Sequence, residues 1–508
     1  ILLSCSHMLR LSAHPRPPTY VWASVPNQLT PLSYHSQGRP GSRDSYLWSA
    51  MSSGALNLKL DLEAGKQVVA KDKTRSSGYV PKVREQLRSV DEDSYTPHSV
   101  PIGPYHGKSP YTPWIAKEKQ PIGPCLGKSP STPWIAKEKL RYVGFMQNLS
   151  EKHKEGGLEG LVEELVPGAR EWYGDGVDHM APEELARMLL HDGCYLLGWL
   201  GNYPDAPPTS CSDHNTVFRD TLYLIENQMP FFLLDKIHAR ATGGSSSLLD
   251  YMATYIQSLL HAQLYISPGK KQGLPEPPSH LLHLVHAFFR PTNGQMADPP
   301  KRRSTSCLQP NGERETGRWR RATEYSMHAN VQFRRRDFAA DVTSILDVRL
   351  EGGTLDIPCL QVDSKTWTLL RNLMALEEHA EMPERPVTAY CIFMSQVACT
   401  VEDVRLLVDA KIVQHFESSD KIAAQGFANL CKGVVMDVHD IQRNYLKPIW
   451  HDLEKLCDSK ARNFKGSFRH RYCSSRLHQV AFGITAFLAF CQLLQSIYAP
   501  IAYHFPQH

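Results

Sequence analysis

Hydrophobic residues recur at helical spacing over most of the chain between residues 138 and 457. The clearest pattern covers 182–200, which opens on Pro182 and two glutamates, as the first turn of a helix commonly does. Its apolar residues return every three or four positions and therefore share one face. These residues are Leu185, Met188, Leu189, Leu196 and Trp199. A dense apolar run at 222–235 is interrupted by Pro230, and further helices are predicted over 248–266, 280–289, 364–380, 387–399, 421–438 and 441–457.

One region alternates instead of following the helical period. Residues 345–362 alternate around Gly352 and Gly353, which predicts a β-hairpin. Thr400 and Asp403 have the spacing of a capping box ahead of another helix. The pattern predicts a mainly α (α+β) fold, in which a large helical domain over 80–475 carries a small β-hairpin and is followed by a C-terminal hydrophobic helix.

The C-terminal segment 477–503 contains no Asp, Glu, Lys or Arg. About 20 helical residues suffice to cross the hydrocarbon core of a bilayer, so we predict a transmembrane anchor here. The alternative is a buried terminal helix. The apolar residues assigned to the anchor are Val480, Phe482, Ile484, Phe487, Leu488, Phe490, Leu493 and Leu494.

Three stretches depart from the regular pattern. Residues 1–80 start at Ile1 and lack sustained periodicity, which predicts a disordered or mis-annotated leader. The segment 101–119 recurs at 121–139 with three differences, as a tandem duplication of which we expect one copy to pack on the domain. Residues 291–321 are rich in Arg, Pro and Gly, which predicts a solvated basic loop rather than a nucleic-acid-binding segment.

Composition narrows the possible functions. The net charge of +4 over 508 residues is too small for the whole chain to clamp nucleic acid. The 12 cysteines include no C-x-x-C pair, which favours reduced thiols over a zinc site or a disulfide framework. The common phosphate-binding, zinc-protease and serine-hydrolase motifs are absent, so the sequence predicts neither a cofactor nor a small-molecule ligand.

Polar residues within apolar segments are the candidates for chemistry. Asp192 lies on the apolar stripe of 182–200, where a carboxylate has to be neutral or paired. We predict Arg170 as its partner. Glu226, Asn227 and Gln228 stand ahead of Pro230 and are predicted to satisfy main-chain groups. The alternative is a hydrolase-like site built around Asp192 and Glu226. His-Asp pairs at 191–192, 439–440 and 451–452 are interpreted as chance, not as a metal centre.

Ordered motifs give the chain a family resemblance. P-I-G-P-Y-H at 101–106, A-R-x-x-Y at 169–173, M-L-L-x-D-G-C-Y at 188–195 and E-N-Q-M-P-F-F at 226–232 follow one another in the expected order. Together with later blocks they resemble a plant-specific family known as domain of unknown function 247, over about residues 80–505. The motif residues that we expect to be structural are Gly103, Pro104, Tyr105, His106, Arg170, Asp192, Gly193, Cys194, Glu226, Asn227, Gln228, Pro230 and Phe231.

The resemblance implies a membrane-associated plant protein of undefined biochemistry, and some grass members are linked to pollen–stigma self-incompatibility. We therefore expect a non-catalytic recognition or signalling protein at the plasma membrane, with an unidentified protein partner and no bound nucleic acid. Basic residues precede the predicted anchor and none follow it, so the domain is expected in the cytoplasm and Asn148 unglycosylated. The basic residues are Lys460, Arg462, Lys465, Arg469, Arg471 and Arg476.

Overall fold

A computed structural model gives the fold of residues in the unit Arg75–His508. The described residues are 82–106, 133–268, 277–292, 318–434, 444–459 and 476–504, apart from 154, 202, 204, 209–212, 381 and 383. The predicted leader 1–80, most of the second copy of the duplication and most of the predicted basic loop lie outside them.

Helices make up most of the described chain, as the hydrophobic period predicts. In order they are α1 (Glu85–Arg88), α2 (Pro133–Lys152), α3 (Leu158–Tyr173), α4 (Pro182–Leu200), α5 (His214–Phe218), α6 (Phe231–Thr242), α7 (Leu248–Ala262), α8 (Leu281–His286), α9 (Ala322–Ala329), α10 (Ser364–His379), α11 (Pro386–Val397), α12 (Val401–Asp409), α13 (Asp420–Leu430), α14 (Lys447–Asp458) and α15 (Arg476–His504). Short 3-10 turns cover Glu92–Tyr95 and Gly174–Val177.

Helix α4 is the centre of the N-terminal half of the domain. It starts at Pro182, as predicted, and packs against α2, α3 and α6. Its buried face includes Asp192, Gly193 and Cys194. A Cβ at Gly193 would lie 2.7 Å from the Cδ1 of Ile237 on α6, so the glycine permits the close approach of the two helices.

The apolar run at 222–235 does not form one helix. A π-helical turn occupies Arg219–Tyr223, and α6 begins only at Phe231. Pro230 separates the two because it lacks an N–H and restricts the residue before it. The residues between them, 224–230, are therefore free to use their main-chain groups elsewhere.

The β-hairpin is confirmed, but it belongs to a larger sheet. Strands β2 (Arg349–Glu351) and β3 (Thr354–Pro358) pair antiparallel, and Gly352 and Gly353 between them have φ values of +59° and +93°. Strand β1 (Gln332–Arg336) runs parallel to β3 on its other side. Two further strands, β4 (Leu360–Val362) and β5 (Val413–His415), form a separate parallel pair.

The later helices agree with the pattern in position. Thr400 and Asp403 form the predicted capping box, with Thr400 Oγ1 donating to Asp403 Oδ2 at 2.6 Å ahead of α12. The helix predicted over 421–438 ends at Leu430, where residues 431–433 form a turn and Gly433 has a φ of +82°. Part of the predicted basic loop is also structured, because Trp319 is buried and Arg320 pairs with Glu454.

Helix α15 covers the segment 477–503, for which a transmembrane anchor was predicted. Its apolar side chains Val480, Ile484, Phe487, Leu488, Phe490, Leu493 and Leu494 are exposed, and the side chain of Phe482 lies outside the described part. Among the residues that the structure describes, no helix combines the length and hydropathy needed to span a bilayer.

Candidate functional site

The E-N-Q turn binds the N-terminal segment 82–106, which we call the strap. The Asn227 side-chain amide pairs with the strap main chain as the main chain of an adjacent β-strand would. Its Oδ1 accepts from Ile102 N at 2.7 Å, and its Nδ2 donates to Val100 O at 2.8 Å. The same Nδ2 also donates to the Asp220 carbonyl at 2.9 Å. All three of these hydrogen bonds go to main-chain atoms, which is the role predicted for Asn227.

Gln228 performs the corresponding task inside the domain. Its Nε2 donates to the carbonyls of Thr221 and Leu224 at 3.1 and 2.9 Å. Its Oε1 accepts from Leu282 N, at the start of α8, at 3.0 Å. The side chain thus closes the π-helical turn and joins it to α8.

Asp220 lies on the π-helical turn and caps three successive amides of the strap. His98 N, Ser99 N and Val100 N all donate to its carboxylate, at 2.7–3.2 Å. Arg219 Nη1 adds a salt bridge at 2.8 Å. Burial raises the pKa of Asp220, while the amides and the guanidinium act in the opposite direction. The carboxylate is therefore committed to holding the main chain.

Asp192 is buried and paired, but its partner is not the predicted Arg170. Lys139 Nζ lies 2.5 Å from Asp192 Oδ1 and also donates to the Pro101 carbonyl at 2.6 Å. The second carboxylate oxygen accepts from Gly103 N at 2.8 Å. The side chains of Lys139 and Asp192 are 3% and 2% exposed. Arg170 instead binds the carbonyls of Val177 and Met180 beyond the end of α3.

Glu226 anchors the beginning of the strap. Its Oε1 accepts from Val83 N at 2.6 Å, and its Oε2 is paired with Arg88. His106, at the other end of the strap, places Nε2 3.6 Å from the same Oε2. That nitrogen has no hydrogen-bond partner among the described residues. Burial lowers the pKa of His106 to about 4, although the carboxylate opposes this shift.

The P-I-G-P-Y-H segment packs in a tight space between α3 and the E-N-Q turn. Gly103 has a φ of +69°, and a Cβ there would lie 3.0 Å from Tyr173 Oη and 3.2 Å from the Gln228 carbonyl. Pro104 is buried beside it. Tyr105 Oη donates to the Tyr173 carbonyl at 2.9 Å, and the two rings meet edge to face.

The other predicted motif residues support the helices around this segment. Cys194 is fully buried, and its burial raises the pKa of the thiol, which keeps it protonated. Pro230 is the N-cap residue of α6, and Phe231 N donates to the Ser279 carbonyl at 2.8 Å. None of these three residues presents a reactive group to solvent.

Two further buried polar residues were not predicted: Asn372 holds the strap, and Glu377 joins three segments of the helical domain. Asn372 on α10 accepts from Ile225 N at 2.9 Å and donates to the Ser94 carbonyl at 2.7 Å. Glu377 accepts from His286, Val387 N and Thr388. Both are buried polar residues in an apolar helix, which is the signal that singled out Asp192.

The chemistry available to the cluster is limited by these contacts. The carboxylates of Asp192, Asp220, Glu226 and Glu377 all accept hydrogen bonds from main-chain amides. The described residues contain no group of three His, Cys, Asp or Glu side chains arranged to hold a metal ion. Burial lowers the pKa of the His191 imidazole, although the neighbouring Asp192 carboxylate opposes this shift. The 439–440 pair lies outside the described residues.

Comparison with known proteins agrees with the motifs. The model of the family domain of unknown function 247, described as plant protein of unknown function, matches residues 80–491. The chain belongs to this plant family. The curated Arabidopsis thaliana protein named UPF0481 protein At3g47200 is 24% identical over 444 residues, which cover 83% of this chain and 86% of the relative. No solved structure matches.

Proposed function

We propose that this family member is a non-catalytic recognition protein, in which the polar motifs of the helical domain hold the strap in place. The observation that carries the proposal is the saturation of Asp192, Asp220, Asn227 and Glu226 by strap groups. A catalytic acid or base needs to reach a substrate proton, whereas these side chains are engaged by amides of the chain itself. The contacts give no support to a hydrolase built on Asp192 and Glu226.

Paired measurements of turnover and stability test this part of the proposal. The full chain, Asp192→Asn and Glu226→Gln are assayed with generic ester, phosphate and glycoside substrates while thermal unfolding is followed. A recognition protein gives no turnover in any of them and melts at lower temperature in both variants. Turnover by the parent that disappears in a variant of unchanged melting temperature would contradict the proposal.

A protein partner is the second element of the proposal, motivated by the link of some family members to self-incompatibility. Proximity labelling with the full chain in its native tissue identifies candidate partners. The proposal expects a labelled protein whose binding to the purified chain is saturable and is lost when the fold is destabilised by Asp192→Asn. If no labelled protein binds the purified chain, the recognition role fails.

Attachment to a membrane is the third element, and the exposed apolar side chains of α15 support it. Carbonate extraction of plant membranes separates integral or firmly bound chains from soluble ones. We expect the full chain in the pellet, and a Phe487→Lys, Leu488→Lys variant in the supernatant. Recovery of the full chain in the supernatant would remove membrane attachment from the proposal.

The cytoplasmic orientation requires a better reporter than Asn148. Asn148 lies on α2, and Ser150 of its sequon is fully buried and donates to the Gly156 carbonyl at 2.7 Å. A missing glycan there would have a structural cause. Gly244→Asn creates a sequon in the exposed turn after α6. The φ of +69° there is one that asparagine tolerates, and an added Cβ would have no neighbouring atom within 4 Å. A cytoplasmic domain leaves this variant unglycosylated, and an endoglycosidase-sensitive mass shift would reverse the orientation.

A further inference from the structure

The cradle that holds the centre of the strap recognises main-chain atoms. We define the cradle as Lys139, Asp192, Asp220 and Asn227. Its hydrogen bonds go to the amides of residues 98, 99, 100, 102 and 103 and to the carbonyls of residues 100 and 101. Because no strap side chain takes part in these bonds, many sequences with the same main-chain path could make them.

Side-chain packing restricts the occupant to a short motif. Ile102 is fully buried, and Pro101 and Pro104 are buried on either side of it. Position 103 has to be glycine, because its φ is +69° and a Cβ would press against Tyr173 Oη and the Gln228 carbonyl. The cradle therefore accepts a Pro-Ile-Gly-Pro peptide that bends at its glycine.

The chain contains this motif a second time, at 121–124. The three residues ahead of it, 118–120, are Glu, Lys and Gln, which all have the amide N–H that Asp220 binds in the first copy. The second copy differs at Cys125 and Leu126, which replace the Tyr105 and His106 of the first copy. Every main-chain hydrogen bond and the buried Pro-Ile-Gly-Pro packing are thus available to both copies.

The second copy lies within reach of the cradle. Lys139, a member of the cradle, is six residues beyond the start of α2 at Pro133. The seven residue steps from Leu126 to Pro133 span up to about 23 Å when extended. When the second copy replaces the first, the loop that follows the bound peptide becomes 20 residues shorter and the loop that precedes it becomes 20 residues longer. The cost is small because loop-closure entropy changes slowly with length.

The first copy has the better fit. Val100 is fully buried, whereas the second copy would bury Gln120 at that position. The second copy also lacks the Tyr105 hydroxyl that donates to the Tyr173 carbonyl. We propose that the cradle is a binding site for Pro-Ile-Gly-Pro peptides and that the second copy, 121–124, replaces the first copy in it whenever 101–104 is released. This proposal does not depend on the recognition role proposed above.

Two matched glycine substitutions test the exchange in the full chain. Gly103→Val and Gly123→Val each disable one copy, because a β-branched residue does not fit the left-handed conformation at this position. If the copies exchange, Gly123→Val leaves the melting temperature within about 1 °C of the parent, and Gly103→Val lowers it by about 3 °C. The double variant then loses more than the two single variants together, because neither copy can occupy the cradle.

The contrary result has an equally clear form. Without exchange, Gly103→Val alone loses as much stability as the double variant, or fails to fold, and Gly123→Val adds nothing to it. Equal melting temperatures for all four proteins would also overturn the proposal, because the cradle would then not select glycine.

Alkylation of Cys125 gives a readout that stability alone does not. Exchange places Cys125 at the position of Tyr105, against Tyr173, so its alkylation by iodoacetamide should slow by about tenfold in Gly103→Val relative to the parent. Mass spectrometry of the peptide containing Cys125 measures this rate. An unchanged rate in a folded Gly103→Val variant would show that another cause preserves the fold.

Discussion

Asp192→Asn is expected to lower the free energy of unfolding by about 3–5 kcal/mol, because it leaves the Lys139 ammonium buried without a counter-charge. The amide oxygen of the variant still accepts from Gly103 N, but its NH2 group cannot accept from Lys139 Nζ, so the substitution removes the charge and this hydrogen bond. The Nζ–Oδ1 distance of 2.5 Å and the 3% and 2% exposure of the side chains place the pair in the class of fully buried salt bridges. Solvent screening therefore reduces the loss only slightly.

A double-mutant cycle separates the pair from its surroundings. Lys139→Met leaves the carboxylate with Gly103 N alone and is expected to cost about as much as Asp192→Asn. The cycle consists of Lys139→Met, Asp192→Leu and the variant that carries both. The double variant has neither charge, so its loss should be smaller than the summed losses of Lys139→Met and Asp192→Leu by at least about 2 kcal/mol. It still falls below the parent, since Gly103 N and the Pro101 carbonyl lose their partners at about 1–3 kcal/mol each.

Urea denaturation monitored by circular dichroism measures each free energy, with the slope checked for two-state behaviour. Asp452→Asn is the matched control, because the Lys455–Asp452 pair is 63% and 60% exposed at 3.1 Å and should contribute less than about 1 kcal/mol. If Asp192→Asn is as stable as the parent, or if the losses in the cycle simply add, the buried pair is not what stabilises this region.

Three further predictions follow from the same region. His106→Leu should reduce the loss of stability on acidification, because burial lowers the pKa of His106 from 6.5 to about 4. The neutral imidazole therefore contributes fully to the free energy of unfolding above pH 6.5, and this contribution, at most about 3 kcal/mol, is lost as the pH falls to 4. Urea midpoints of parent and variant, measured over the same pH series, give the difference. Deleting 121–140 keeps the Tyr-His pair and puts Lys119 in the position of Lys139, so it should leave the melting temperature within about 2 °C. Deleting 101–120 should lower it by more, and a reversed order would contradict the fit assigned to the first copy. Gly198→Ala should destabilise the chain by about 1–3 kcal/mol in the same denaturation assay, because its Cβ would clash with a tyrosine ring on α2. Gly144→Ala should stabilise the chain by up to about 1 kcal/mol, because a Cβ there would have no neighbouring atom within 4 Å.

The sequence was most informative where a local rule decides the structure. Pro182 and the apolar period fix the start and the buried face of α4, and the two glycines at 352 and 353 fix the hairpin turn. Strand β1 was missed because its sequence, Gln-Phe-Arg-Arg-Arg, lacks apolar alternation; it exists through pairing with β3 and the bidentate Arg334–Asp356 contact.

The partner of Asp192 shows where local rules stop. The apolar stripe correctly implied that the carboxylate needs a partner, since an unpaired buried charge is too costly. The choice of Arg170 was wrong because its guanidinium is used by the carbonyls that follow α3. Lys139 is 53 residues from Asp192 and lies at the end of a duplicated segment, so only the packing of α2 against α4 brings the two together.

These contacts also decide where the domain begins. Without the strap, Asp192, Asp220 and Asn227 would keep only their contacts within the helical domain, to Lys139, Arg219 and the Asp220 carbonyl. The strap amides would in turn lose their buried acceptors. Each such group costs about 1–3 kcal/mol when it stays buried without a partner, so their combined loss is comparable to the total stability of a typical domain. The strap and the helices therefore stabilise each other as one unit, and the strap belongs to the structural domain although it precedes α2 in the chain.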